Sequence, residues 1–141
     1  MLARKTIWTT GIIILGVIGA VGYSTYSEKP FVDAFIAEDH FDERLNQVTI
    51  WETNGHLNEN VADATRNDAR LEKVRQALED WQVRKTFFKN MDYEEAYQID
   101  ISYGEDVLMI PISSDGFMKI QGHTYELVDG PQIKELLVLL E

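Results

Sequence analysis

A chain of 141 residues has room for one hydrophobic core after a hydrophobic N-terminal stretch is set aside, and its 24 acidic against 13 basic residues give a formal charge of −11. Such a surface repels a phosphate polymer, which excludes nucleic acid as a partner, and it holds the domain clear of anionic lipid and wall polymer while favouring cations or a basic protein. The absence of cysteine excludes disulfides, thiolate catalysis, cysteine-based zinc sites and a lipid-modified N-terminal cysteine.

The chain opens with Arg4 and Lys5, and from Ile7 to Tyr26 it carries no charge. A stretch of about 20 such residues is what a helix needs to span hydrocarbon. Trp8 at one end and Tyr23 and Tyr26 at the other stand where interfacial aromatics stand, and the basic pair ahead of them favours a cytoplasmic N-terminus. Residues 1–26 are therefore expected to form a signal-anchor helix of a single-pass membrane protein. Ala20 with Gly22 also resembles a small-residue cleavage site, so the competing expectation is a signal peptide removed near Gly22 and a secreted domain. Either way the domain lies outside the cytoplasm. Gly16, Ala20 and Ser24 recur every fourth residue and line one helix face, which would let a second transmembrane helix approach closely and form a homodimer.

Residues 27–45 read as a linker and a short helix. Phe31, Val32, Phe35 and Ile36 fall on one side of that helix, which is expected to pack on the domain rather than lie on lipid, because the acidic run Glu38, Asp39, Asp42, Glu43 follows it.

Residues 46–141 read as the extracytoplasmic domain. Val48 and Ile50 alternate with Thr49 and Trp51 in a strand over Gln47 to Thr53, and Asn54-Gly55 signals a turn. A polar loop through Asn58, Glu59 and Asn60 is expected next. From Asp68 to Phe87 the spacing of Leu71, Val74, Leu78 and Trp81 predicts an amphipathic helix.

Tyr97, Ile99, Ile101 and Tyr103 alternate with Gln98, Asp100 and Ser102, and short turns at Gly104-Glu105-Asp106, Ser114-Asp115-Gly116 and Gly122 separate three further strands: Val107 to Ser113, Phe117 to Gln121 and His123 to Val128. A final helix, Gln132 to Leu140, follows Asp129-Gly130-Pro131 and repeats Ile133, Leu136, Leu137 and Leu140 at helical spacing. The order strand, helix, four-strand meander, helix predicts an α+β fold, a two-layer sandwich with an antiparallel sheet.

The motifs Tyr97-Gln98-Ile99-Asp100-Ile101 and Gly122-His123-Thr124-Tyr125, together with the terminal helix, resemble those of small uncharacterised extracytoplasmic proteins of Gram-positive bacteria, which carry an N-terminal anchor or a lipoprotein signal. The resemblance runs from about Gln47 to Glu141. It implies the same α+β domain and an envelope location, and it brings no activity with it. This chain departs from the lipoprotein members in having no cysteine.

Chemistry is hard to find in the sequence. His40, His56 and His123 sit in unlike contexts without metal-ligand spacing, Ser113 and Ser114 look like turn residues, and no phosphate-binding glycine loop occurs. The acidic groups Glu38-Asp39-Asp42-Glu43 and Asp92-Glu94-Glu95 lack the alternating pattern of a calcium loop and read as solvated surface. No catalytic residue, metal or cofactor is expected. The candidate partner surface is the strand face carrying Val107, Met109 and Pro111, which is more apolar than a solvated face requires. Pro111 cannot donate a ladder hydrogen bond, so its strand is expected to be an edge or to be interrupted there, unless Phe31 to Ile36 covers the patch. The leading expectation is a tethered, non-enzymatic binding or accessory domain with an envelope protein as partner. The alternative is a small inhibitor or hydrolase secreted after cleavage near Gly22.

Overall fold

The computed structural model describes residues 2–36, 41–54, 57–87, 89 and 96–141, with residues 2–9 and 54 described by their backbone alone. Leu2–Tyr26 form one helix, α1. Its described apolar side chains point to solvent on every side: Ile12, Leu15 and Ile18 are 66%, 70% and 62% exposed. Among the described residues, which in α1 take in side chains from Thr10 onward, no helix is long and apolar enough to cross a membrane. The helix meets the domain at its last turn, where Tyr26 stacks on Phe87 at 3.7 Å between ring centres.

The domain is α+β. Among the described residues its strands are β1 (Lys29–Pro30), β2 (Leu45–Asn54), β3 (Leu57–Thr65), β4 (Gln82–Lys85), β5 (Tyr97–Tyr103), β6 (Asp106–Ile112), β7 (Phe117–Ile120) and β8 (His123–Asp129). They make one sheet in the order β1-β4-β8-β7-β6-β5-β2-β3, every pairing antiparallel. The helices α2 (Phe31–Phe35), α3 (Phe41–Arg44), α4 (Ala69–Glu79) and α5 (Ile133–Leu140) complete it.

Strand alternation decides which sheet face is covered. Ile50, Ile99 and Ile110 stand in register across β2, β5 and β6, and all three are fully buried. Burying each such side chain contributes roughly 1.5–3 kcal/mol. Over this face lie the apolar stripes of α4 (Leu71, Val74, Ala77, Leu78) and α5 (Ile133, Leu136, Leu140), and the two helices pack on one another. The opposite face stays open.

Trp81 joins these layers. Its ring is fully buried, its Nε1–H donates to the Pro131 carbonyl at 2.8 Å, and its own carbonyl accepts from the Phe31 amide at 2.9 Å. Phe31 meets the indole edge-on at 5.2 Å, and Phe35 meets Tyr125 of β8 in the same way at 4.8 Å. Gly130, at φ +103, passes so close that a Cβ there would stand 2.7 Å from the indole Cδ1 and 3.1 Å from the Trp81 Cα, a place for glycine alone.

The meander β5–β6–β7–β8 and the closing helix match the sequence reading, and α2 packs on the domain as expected. Three expectations change. The helix predicted over Asp68 to Phe87 ends at Glu79, because burying Trp81 against Pro131 turns the chain out of the helix and lets Val83 pair with Leu127 as β4. The polar segment read as a loop is β3, an edge strand that turns only small Ala62 and Ala64 towards the core while Glu59, Asn60 and Asp63 stay outside. Lys29–Pro30, read as linker, adds β1 to β4. Gly55 of the expected turn lies outside the described residues, although Asn54 and Leu57 pair on either side of it.

Replacing Trp81 by Phe keeps the ring contact with Phe31 and takes the donor from the part-buried Pro131 carbonyl. Trp81→Phe should therefore destabilise the domain by about 1–3 kcal/mol, seen as a lower urea midpoint at unchanged slope.

Candidate functional site

The open sheet face is where the sequence-predicted surface residues fall. Register across β2, β5 and β6 sets Trp51 beside Gln98 and Gln98 beside Pro111, Thr49 beside Asp100 and Asp100 beside Met109, and Ser102 beside Val107. Met109 and Val107 are 62% and 56% exposed, and Pro111 is half-buried. The segment Phe31 to Ile36 does not cover them, since its rings pack on Trp81 and Tyr125 in the helix layer.

This face is held in place by a polar clasp. Asp100 accepts from the Trp51 Nε1–H at 2.8 Å through one carboxylate oxygen and from the Gln98 amide at 2.8 Å through the other. Both bonds are charge-assisted and fix the orientation of a half-buried indole on an otherwise wet surface. Trp51, Met109, Val107 and Pro111 thus set apolar and aromatic groups on the face around the Asp100 carboxylate, with Asp63 beside Thr49 towards the β3 edge. Such composition suits a protein partner better than a small substrate.

Pro111 does not lie at the sheet's edge. β6 is flanked by β5 and β7, and its register with β7 is the single pair Ile112↔Met118, so the ladder stops at the proline. The missing amide donor at Pro111 accounts for the break. The long exposed edge is β3, whose Leu57 and Val61 are 76% and 40% exposed and which is hydrogen-bonded to β2 alone within the sheet. A bulge between Ile50 and Trp51 leaves Val61 between the paired residues Asn60 and Ala62.

The remaining candidates are dispersed. Gly16, Ala20 and Ser24 are all exposed along α1. His123 is exposed at the start of β8, whereas His40 and His56 lie outside the described residues, as do Glu38, Asp39, Asp92, Glu94 and Glu95. Among the described residues no group of three or more histidine or acidic side chains is placed to hold a metal. The Ser113 hydroxyl donates to Asp115 and accepts from the Phe117 amide at 3.0 Å, which is turn chemistry.

Two arginines make connections that no sequence pattern announced. Asp68 caps α4, accepting from the Arg70 amide at 2.9 Å, and the Arg70 guanidinium folds back onto the same carboxylate while also donating to the carbonyls of Leu140 and Asp63. Arg70 thereby ties the start of α4 to the end of α5 and to β3. Its hydrogen bonds hold the Asp68 carboxyl below the ordinary carboxylate range. Arg75 pairs with Glu72 and Glu79 on α4, and this lowers Glu72 likewise. A cleft between Leu45 and Leu71 is lined by Asp42, Arg66, Asp68, Glu72 and Arg75, and both of its arginines are engaged by neighbouring groups of the chain.

No protein-family profile, curated protein or solved structure matches the chain.

Two outcomes follow from these placements. Met109→Gln, at an exposed position, should shift stability by no more than about 0.5 kcal/mol. Ile110→Ala, one residue on and facing the core, should cost about 2–5 kcal/mol, and parallel urea titrations of the two variants compare them. Asp68→Asn keeps a capping side chain and removes the charge. Because the folded pKa is depressed, the charge stabilises above the unfolded value near 4 and that stabilisation is lost as pH falls through the lower folded value. The variant should melt below the wild type near neutral pH, and the gap should close as the melting series is taken into acid.

Proposed function

We propose that the chain is a single-pass membrane protein whose acidic α+β domain sits outside the cytoplasm and works by binding an envelope protein, without catalysis of its own. The observation that carries this reading is the exposure of apolar side chains on every side of α1. A helix with apolar side chains all round needs a hydrophobic surrounding, and the described residues of the domain leave Ile12 to Val21 of α1 exposed. Its 25 residues extend about 37 Å at 1.5 Å per residue, against a hydrocarbon core of about 30 Å. Arg4 and Lys5 ahead of it favour a cytoplasmic N-terminus. Within the membrane, the line of Gly16, Ala20 and Ser24 would admit a second helix, from another copy or from a partner.

Binding is favoured for the domain because its open face sets Met109, Val107 and Pro111 beside an oriented Trp51, an arrangement with more apolar area than solubility needs. The β3 edge offers a second mode, strand addition, with Glu59 and Asp63 selecting a neutral or basic strand.

Cell fractionation with mass spectrometry of the mature N-terminus tests the reading. The expected result is an intact chain from Met1 in the membrane fraction, resisting carbonate extraction. A chain beginning near Tyr23 in the medium would overturn it in favour of a secreted inhibitor or hydrolase.

A further inference from the structure

α5 is apolar on more sides than its packing uses. Ile133, Leu136 and Leu140 are buried in the core, while Leu137 and Leu139 stay half-buried and Val138 is 66% exposed. A surface helix ordinarily carries one apolar stripe and turns polar residues outward, so a helix that is apolar on its outer side as well calls for a cover. Pro131, Lys134, Glu135, Val138 and Leu139 line a shallow cleft along that side.

The charges on this outer side are placed against the helix's own dipole. Lys134, Val138 and Glu141 stand four and three residues apart, so they share one face, and all three are exposed. Lys134 sets a cation in the first turn and Glu141 an anion just past the last, each at the end of the helix that disfavours its sign. Among the described residues neither of them has an ion pair. Glu135, beside Lys134, is occupied with the helix cap, where it accepts from the Gln132 amide at 2.7 Å.

We infer that the outer face of α5 is an interface with a second copy of this chain, the two helices packing antiparallel across a two-fold axis that passes near Val138. Antiparallel packing sets Lys134 opposite Glu141 of the partner subunit, and the symmetry makes that pair twice. Each lysine then lies at the negative end of the other helix and each glutamate at its positive end, which corrects the mismatch that both suffer within one chain. Parallel packing would bring like charges together. A foreign partner of one sign would satisfy one end of the stripe and oppose the other, whereas a second copy satisfies both. Val138 and Leu139 meet their counterparts between the two charge pairs and leave water. Eight residues extend about 12 Å, so the contact is a small one and its affinity lies in the weak range. Neither the membrane reading of α1 nor the open sheet face enters this inference.

The test uses the full chain, which lacks cysteine and so accepts a single thiol. Val138→Cys and, as a control on another exposed surface, Val107→Cys are expressed at matched levels, and intact cells are treated with a short membrane-permeant bismaleimide. Both positions are exposed, so both variants should keep the wild-type urea midpoint. Val138→Cys should give a product of twice the chain's mass, and Val107→Cys should give little. Adding Lys134→Glu to Val138→Cys should lower the ratio of crosslinked to uncrosslinked chain about fivefold. Glu141→Lys should do the same, and the two changes together should restore the product. Equal crosslinking from positions 138 and 107 marks random encounter and overturns the interface. Charge reversals without effect, or without rescue when combined, overturn the antiparallel pairing. A product of some other mass overturns the assignment to a second copy, and no product at all overturns the inference outright.

Discussion

The burial of Trp81 is the constraint on which the arrangement of the domain depends. An indole brought fully out of water must give its N–H a partner, and here the Pro131 carbonyl is that partner. Meeting it ends α4 about two turns earlier than the sequence pattern suggests, starts β4 beside β8, and draws the β8–α5 connection so close that only Gly130 fits. The same residue's carbonyl receives the Phe31 amide, which seats α2 and holds β1 against β4. Through this one side chain the point at which α1 departs is tied to the core. The end of α1 is consequently registered to the sheet through β1 and Trp81.

The two sheet faces answer different demands. The covered face is a set of isoleucines in register beneath α4 and α5, and it supplies stability. The open face gives little stability, and Asp100 spends both its oxygens on orienting Trp51 and Gln98 there. Arg70 performs a comparable service for the helices, joining Asp68, Asp63 and Leu140 across three elements. Ordered polar groups on an exposed sheet face, beside Met109 and Val107, are what a preorganised recognition surface requires.

Much of this order was legible in the chain, and the failures have physical causes. The period-two alternation at Tyr97 to Tyr103 and the leucine spacing of α5 announced themselves because one face of each is buried and the other wet. β3 hid because an edge strand with alanine as its inward residue has no strong alternation to read. β4 hid because Gln82, Arg84 and Lys85 extend the polar pattern of the preceding helix without a glycine or proline to interrupt it. Pro111 was read correctly as a ladder breaker but not located, since sequence alone does not say whether β7 would pair short or β6 stand at the edge. Val107 and Met109 were visible as excess apolar residues, whereas the Asp100 clasp on Trp51 comes together only through register between β2 and β5.

A tether changes what such surfaces need in order to work. If the domain is held at a membrane as proposed, it meets neighbouring proteins at the effective concentration set by its linker, and only Ser27–Glu28 separates α1 from β1. On the proposed reading, a higher effective concentration lets a small apolar patch contribute to association that it would not support free in solution. The short linker and the open face belong to one packing arrangement: Trp81 fixes where α1 leaves the domain, and the Asp100 clasp fixes Trp51 beside Met109 on the face that α4 and α5 leave uncovered.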